Sequence, residues 1–435
     1  MRILFFSFYN KFDIDIHPGV AVLSAALKKH GHKTKLQPYF YYDEEIFKKT
    51  LSEFQPNVIG ISATHMAVSQ VKKLAKFLKQ ITNVPILLGG VFPILSSKEA
   101  LSIEGIDAIC IGEGVDGLLQ FINGEKTATN YIFKDNPNEY KIENWSKEPI
   151  SDMDYDIFIE AMPPSKKINK LDYWTSFTCE YGCSFCCNKE IRRITGLSSK
   201  PRQDVNTAIE NLQQLIKKTS ASKIHFRDPL FMGPSERCYV KEFLKEYSKK
   251  IALPYICNLR ANSIDDEIAQ LLKKTGCYKV KMGLETGSEV IRNKLLHKAD
   301  TDEDFINASK RLREVDIKLS LNAMIGLAYE TLESANRTMN FIQELKATKV
   351  FLHIFQPWPG LELDNEIRQY IKYIKSPALN DILVAGKKVK EFMSGYNYDF
   401  EKANKEYIYY PVLDQPQFPF DLAARLQREF HERIY

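Results

Sequence analysis

Two successive α/β units, joined by an irregular connector and followed by a helical, aromatic-rich tail, are the architecture that this sequence predicts. Three observations predict it. Apolar strand-like runs alternate with amphipathic stretches through the first 125 residues, and the same alternation resumes with longer helices over residues 165–365. Between the two, residues 126–164 carry turn formers and no helical period. Alternation of this kind implies parallel sheets covered by helices. A 435-residue chain is long enough for two or three such cores.

In the first unit, residues 2–8 read as a continuous apolar strand, and 20–30 as a helix with Val20, Leu23, Ala26 and Leu27 on one face, stopped by Gly31. Residues 58–62 read as the next strand and 68–81 as a helix presenting Val71, Leu74 and Leu78. Two further apolar runs end in Gly89-Gly90 and in Gly112-Glu113-Gly114. The pattern predicts a Rossmann-like, flavodoxin-like sheet with small residues at its carboxyl edge, where open α/β sheets bind ligands.

The connector contains Asn123-Gly, Asn136-Pro, Pro149 and Pro163-Pro164, which reads as an extended crossing between domains. Beyond it, strands are predicted before the first cysteines and over 223–227, 255–259, 279–284, 318–325 and 350–355, each followed or preceded by a helix. Six β/α units make a partial (β/α)6 TIM barrel, whose chemistry belongs at the strand C-termini. Asp228, Arg260, Glu285, Ser288 and Asn322 cluster there. Residues 366–435 read as a mostly helical extension with an aromatic run (Tyr396, Tyr398, Phe400, Tyr407, Tyr409, Tyr410), expected to cap the pocket of a laterally open barrel.

Composition narrows the function. Hydrophobic content of 44% and charged content of 26% are those of an ordinary globular protein. The net charge of +5, with no long Lys/Arg block, argues against a nucleic-acid partner. No apolar stretch is long enough to span a membrane. Eight cysteines behind an N-terminus that reads as a strand predict reduced thiols in the cytoplasm.

The strongest local signal is Phe177-Thr-Cys-Glu-Tyr-Gly-Cys-Ser-Phe-Cys-Cys187. Cys179, Cys183 and Cys186 form a C-x3-C-x2-C array at the end of an apolar, aromatic run. Three thiolates on one tight loop hold three corners of a cubane iron–sulfur cluster and leave the fourth iron open to a small molecule. Structural zinc takes four ligands, commonly as two separated pairs, and no second pair follows. Cys187 stands outside the array as a packed or cluster-proximal thiol, or as a fourth ligand.

At these residues the chain resembles the radical S-adenosylmethionine enzymes, whose signature is C-x3-C-x-aromatic-C, with Phe185 in the aromatic slot. The resemblance implies a 4Fe-4S cluster on Cys179, Cys183 and Cys186, chelation of S-adenosylmethionine by the open iron, and reductive cleavage to a 5′-deoxyadenosyl radical. His17-Pro-Gly-Val, Ile61-Ser-Ala-Thr64, Leu88-Gly-Gly-Val-Phe-Pro93 and Ile111-Gly-Glu-Gly114 resemble the cobalamin-binding domain that precedes many such cores. That likeness implies that Ser62, Thr64, Gly89, Gly90, Gly112 and Glu113 line the cofactor's nucleotide-tail side. Asp15-Ile-His17-Pro-Gly19 is one residue short of D-x-H-x-x-G, so His17 is either the lower axial ligand of cobalt or a loop residue.

In the barrel, His225-Phe-Arg-Asp-Pro-Leu-Phe231, Gly283-Leu-Glu-Thr-Gly-Ser-Glu289, Met324-Ile-Gly-Leu-Ala-Tyr-Glu-Thr331 and Gln356-Pro-Trp-Pro-Gly360 are similar to family stretches. If the ligand is that zwitterionic sulfonium, Asp228 or its neighbours are expected to meet its amino group, Arg260 and Ser288 its carboxylate, and Glu285 a ribose hydroxyl or the sulfonium, while Asn322 lies on the same rim. Ala328-Tyr329 departs from the family's usual Pro-Gly, which predicts a loop shaped for an unusual neighbour. The function implied is a cobalamin-dependent radical S-adenosylmethionine C-methyltransferase acting on a small-molecule or peptide substrate, with flavodoxin or ferredoxin as electron donor. The alternatives are a cyclase or rearrangement enzyme of the same family without net methylation, and a non-catalytic iron–sulfur or corrinoid sensor.

Overall fold

The computed structural model describes residues 1–9, 16–125, 127–138, 140–143, 152–162, 168–196, 202–368, 372–375 and 411–434. The first unit runs β1 (Arg2–Phe8), α1 (Pro18–Lys29), β2 (Lys33–Tyr39), α2 (Glu44–Phe54), β3 (Val58–Ser62), α3 (Val68–Ile81), β4 (Ile86–Gly89), α4 (Val91–Leu95), α5 (Ser97–Ser102), β5 (Ala108–Cys110), α6 (Val115–Ile122) and β6 (Tyr131–Phe133). Strand order is β2-β1-β3-β4-β5-β6, parallel except for the last pair. It is the flavodoxin-like order, with its switch point between β1 and β3. Ile3, Leu4, Phe5 and Phe6 are buried in succession because helices cover both sheet faces.

Two strands escape the sequence reading. β2 (Lys-Thr-Lys-Leu-Gln-Pro-Tyr) is an edge strand with little apolar content, and its Pro38 is tolerated there. β6 adds the other edge, so this sheet extends beyond residue 125.

The connector is also more structured than its composition predicts. Residues 156–161 form α7 (Asp156–Ala161). Ile157 and Phe158 join the first unit's apolar cluster, whereas Tyr155 sits in the second unit's core and stacks on Tyr173, centroids 6.5 Å apart. Asp154 accepts a hydrogen bond from Ser24 (2.6 Å) and pairs with Lys28 (2.7 Å). The connector is thus a clasp that packs into both cores. Pro149 and Pro163-Pro164 lie outside the described residues.

The second unit runs β7 (Lys170–Tyr173), α8 (Cys187–Thr195), α9 (Val205–Thr219), β8 (Lys223–Phe226), α10 (Arg237–Lys250), β9 (Tyr255–Asn258), α11 (Asp266–Lys274), β10 (Cys277–Glu285), α12 (Asp302–Glu314), β11 (Lys318–Ile325), α13 (Leu332–Glu344) and β12 (Lys349–Ile354). Its six strands lie in the order β12-β11-β10-β9-β8-β7, all parallel, and β7 does not pair with β12. This is the open six-stranded barrel that the alternation predicts. Asp204, Asp265 and Thr301 cap α9, α11 and α12 by accepting bonds from first-turn N–H groups.

Then follow α14 (Glu362–Ile367), a two-stranded antiparallel pair β13 (Lys372–Lys375) and β14 (Pro411–Asp414), and α15 (Phe420–Ile434). Ala423, Leu426 and Phe430 of α15 belong to the barrel's outer core, and Gln427 Nε2 donates to Leu352 O of edge strand β12 at 2.6 Å. Helix α15 therefore covers the outside of the last strand, while Leu413 of β14 and Gln415 pack against the loop that follows β11. The aromatic run at 396–410 lies outside the described residues.

Candidate functional site

The cysteine loop leaves the carboxyl end of β7 and is held from three sides. Ser184 donates its N–H to Leu296 O (3.1 Å) and its hydroxyl to Leu295 O (2.5 Å), and Ser184 O accepts from Leu363 N (3.1 Å). Arg192 donates to Tyr181 O (2.8 Å), and Ser235 to the Glu180 carboxylate (3.0 Å). Cys186 is the N-cap of α8. All eight cysteines are free thiols.

Cys179, Cys183 and Cys186 are close enough that each of the first two feels the charge of Cys186. Burial pushes Cys183 up to about 11, against the pull of Lys298 and then Arg260. Without iron these thiols stay protonated, and iron binding displaces the protons. Among the described residues, no three His, Cys, Asp or Glu side chains converge as ligands of one metal ion. A cubane instead spreads its thiolates over separate irons. The donor set and the two cations beside Cys183 therefore fit a negatively charged cluster. Cys187 shares a thiol hydrogen bond with Cys186, which lowers its own pKa. Phe185 packs against the apolar group formed by Leu295, Leu296, Leu327 and Phe355.

The rim residues divide into committed and open groups. Asp228 has no exposed surface; its Oδ1 accepts from Thr175 N (3.1 Å) and Thr175 Oγ1 (2.7 Å), and Arg202 lies 3.6 Å away. Through Oδ1 Asp228 anchors the start of the cysteine loop, while its buried Oδ2 has no hydrogen-bond partner among the described residues. Arg260 is equally engaged. It binds Asp300 through Nε (2.9 Å) and Nη2 and lies 3.7 Å from the centroid of the Tyr181 ring. Ser288 Oγ accepts from Ile291 N at 3.4 Å and starts a helical turn.

Glu285 faces Lys298 at 3.9 Å, and burial raises its pKa. It sits at a register shift in β10 with φ +67°. A Cβ on Gly283 would stand 2.1 Å from the Glu285 carboxylate, so glycine is required for that carboxylate to turn inward. Asn322 is half-buried on β11, with no side-chain hydrogen bond to a described residue.

Lys298, Asp300, Arg202 and Glu236 were not foreseen. They sit on loops, without period or motif, and tertiary contact alone reveals the chain Arg260–Asp300–Lys298–Glu285 beside Cys183.

The unusual Ala328-Tyr329 loop has an identified neighbour. Tyr329 N donates to Gln415 Oε1 (2.8 Å), and Gln415 Nε2 donates to Leu327 O (2.7 Å). Tyr329 keeps φ +61°, a conformation that glycine adopts more cheaply. Glu330 closes the same loop by accepting from Gly326 N (2.5 Å) and Leu327 N (3.1 Å), and burial pushes it up to about 8.

Above the first sheet lies a cavity of about 590 Å³. His17, Ser62, Thr64, Gly89, Gly90, Gly112 and Glu113 all line it, together with Phe5, Phe8 and Tyr9. Its far wall is built by the second unit: Trp174, Phe177 and Thr178 just before the first cysteine, and Asn188, Ile191 and Arg192 just after the last. A flat, largely apolar macrocycle fits walls of this kind. Gly90, at φ +94°, has no room for a side chain, because a Cβ would lie 2.5 Å from Ala63 O. His17 precedes α1 without capping it, its ring 4.8 Å from that of Tyr9. Burial, with a smaller effect from Arg227, holds its pKa near 4, so the imidazole is neutral as a metal ligand must be.

Comparison with known proteins agrees with this layout. The B12 binding domain family matches residues 10–122, and the Radical SAM superfamily matches residues 175–342. An uncharacterised methyltransferase PH0819 of Pyrococcus horikoshii is 27% identical over 337 residues, covering 72% of this chain and 70% of its own. An anaerobic magnesium-protoporphyrin IX monomethyl ester cyclase of Rubrivivax gelatinosus is 20% identical, over 85% of this chain and 70% of its own. Among solved structures, the radical S-adenosylmethionine methyltransferase TsrM from Kitasatospora setae, with cobalamin and a 4Fe-4S cluster bound, superposes with a TM-score of 0.72 at 15% identity, covering 98% of this chain and 90% of its own. Among the described residues no helix is long and apolar enough to cross a membrane. With a corrin-sized cavity on one sheet, a three-cysteine loop on the other, and both family matches in that order, the chain belongs to the cobalamin-dependent radical S-adenosylmethionine enzymes.

Proposed function

We propose that the protein is a methyltransferase that places a methyl group on an unactivated carbon of a small-molecule or peptide substrate. One observation carries this reading: the cavity over the first sheet is closed by the residues that flank the cysteines, Phe177 and Thr178 on one side and Asn188 on the other. A corrin held in this cavity would share its walls with the residues that flank the cysteines. When bound, the cluster with S-adenosylmethionine supplies a hydrogen-abstracting carbon radical, and the corrin supplies the methyl group.

The chain's own residues place and insulate these groups. Cys179, Cys183 and Cys186 would hold the cluster, and Lys298 and Arg260 would offset its negative charge. Asn322 and Glu285 remain available to a polar ligand on the rim. Ser62, Thr64, Gly89, Gly90, Gly112 and Glu113 would hold the corrin and its tail, with the neutral imidazole of His17 on the same cavity wall as a nitrogen donor it would meet. Trp174 and Phe177 keep water out of the shared space. Free cysteines throughout suit a cytoplasmic enzyme fed by flavodoxin or ferredoxin.

The similarity to the cyclase sustains a second reading, radical chemistry at this site without net methylation. Product mass spectrometry separates the two by a gain of one methylene. Replacing Cys183 with Ala is expected to remove the cluster absorbance and abolish deoxyadenosine formation under strong reductant. Normal deoxyadenosine formation by that variant defeats the reading, as does its absence from the unsubstituted protein with a full cluster; the second result favours a sensor.

A further inference from the structure

Five of the six barrel strands carry a lysine directly before a buried apolar residue: Lys170, Lys223, Lys279, Lys318 and Lys349. The residues that follow them (Leu171, Ile224, Val280, Leu319, Val350) all belong to the core beneath the helices. Side chains alternate along a strand, so the lysines share the opposite, lumen-facing side at the N-terminal mouth. The register confirms their adjacency, with Lys170 opposite Lys223 and Lys279 opposite Lys318. Lys281 repeats the pattern one step higher, opposite Asn258 and Ser320.

Little in the described structure balances this charge. None of these six ammonium groups has a carboxylate partner among the described residues; Lys223, Lys279 and Lys349 lie only near the rings of Tyr278 or Phe351. The neighbouring acid, Asp172, bonds His225 (3.1 Å) and Arg227 (3.6 Å), and its one charge is shared with Lys170 and Lys281. Burial, then Arg227 and Lys170, pushes Lys281 down to about 8. Convergent cations in a walled lumen repel one another and focus a positive potential, which a bound anion relieves. Several lysine point charges suit a compact, multiply charged phosphoryl group, whose charge more than one ammonium can share.

We infer that the lower barrel lumen is an anion site that takes a phosphoryl group, with Lys281 as its central contact. Lys281 lies four residues below Glu285 on β10, roughly 13 Å at the usual rise of a strand. A substrate anchored there by a phosphate presents its carbon chain upward to the cluster end. This deepens the reading of the upper rim as the radical site and rests on it; a free phosphate is the other source of the same chemistry.

The test uses anaerobically reconstituted full-length protein, with inorganic phosphate and decyl phosphate as calorimetric titrants at low ionic strength. Binding of phosphate is expected, weakened about tenfold or more by Lys281→Met and largely kept by Lys281→Arg. The double variant Lys318→Met/Lys349→Met, exposed at the mouth, is expected to weaken binding even if Lys281→Met folds poorly. Tighter binding of decyl phosphate identifies a substrate tail, and equal affinity a free anion. Absence of binding, or binding indifferent to all three variants, overturns the site. Deoxyadenosine formation is measured in parallel: its absence alongside intact phosphate binding defeats the radical assignment and leaves the anion site standing.

Discussion

The two sheets of this molecule make their sites by opposite means. The first uses backbone and apolar surface. Gly89, Gly90 and Gly112 bring the main chain to the cavity wall, and Phe5, Phe8 and Tyr9 supply its apolar faces. The second uses buried charge, with Arg260, Asp300, Lys298 and Glu285 linked beside Cys183. A wall of glycines tolerates a large neutral ring but no added side chain. A chain of buried ions tolerates no missing member, because each charge depends on its partner for compensation. Damage to the first site is therefore steric and damage to the second electrostatic.

The comparison is broken most directly at Asp300. Asp300→Ala leaves Arg260 and Lys298 buried without their shared partner, and unfolding in urea is expected to show a loss of about 3–5 kcal/mol. Iron content is expected to fall with it, and a loss below about 1 kcal/mol would show that the charges are not interdependent. At the first site, Gly90→Val forces a side chain into Ala63 O at a left-handed φ. A loss of about 2–3 kcal/mol and loss of cobalamin retention are expected, read by thermal melting and cobalt content.

Acid sharpens the contrast. Burial is the leading cause that holds His17, His65 and His225 near 4, below the ordinary value of 6.5. Between those two values the unfolded chain binds protons that the folded chain refuses, so stability falls as pH falls from about 6.5 to 4. Each histidine contributes a slope of about 1.4 kcal/mol per pH unit at most. His65→Gln is expected to flatten the pH dependence of the melting temperature in that window by one histidine's share; an unchanged slope would place His65 in a more open setting. The smallest effect is expected at Tyr329→Gly. It relieves the left-handed backbone while leaving the Gln415 bond to the main-chain N–H, a gain of about 1 kcal/mol by urea unfolding.

Much of this was legible in the chain itself. Cys179, Cys183 and Cys186 declare themselves by spacing, and the glycine-ended strands of the first sheet by an apolar run followed by residues without bulk. Both signals are local, since a tight loop or a strand end is specified by its own few residues. The alternation that predicts six barrel strands is local too, because helical and extended periods differ along the chain.

What escaped is non-local. β2 lacks an apolar run because an edge strand needs only one neighbour, and α7 was hidden in a connector whose role depends on touching two cores. Folding also gives Asp228 Oδ1 to Thr175 and the Arg260 guanidinium to Asp300, partnerships that no periodicity announces. The lysines before five strands are single residues in sequence, and they come together only when the strands pair side by side. Sequence alone settled which groups are present and which short motifs they form. Tertiary structure decided which charges meet, because compensation depends on distance through space and not along the chain.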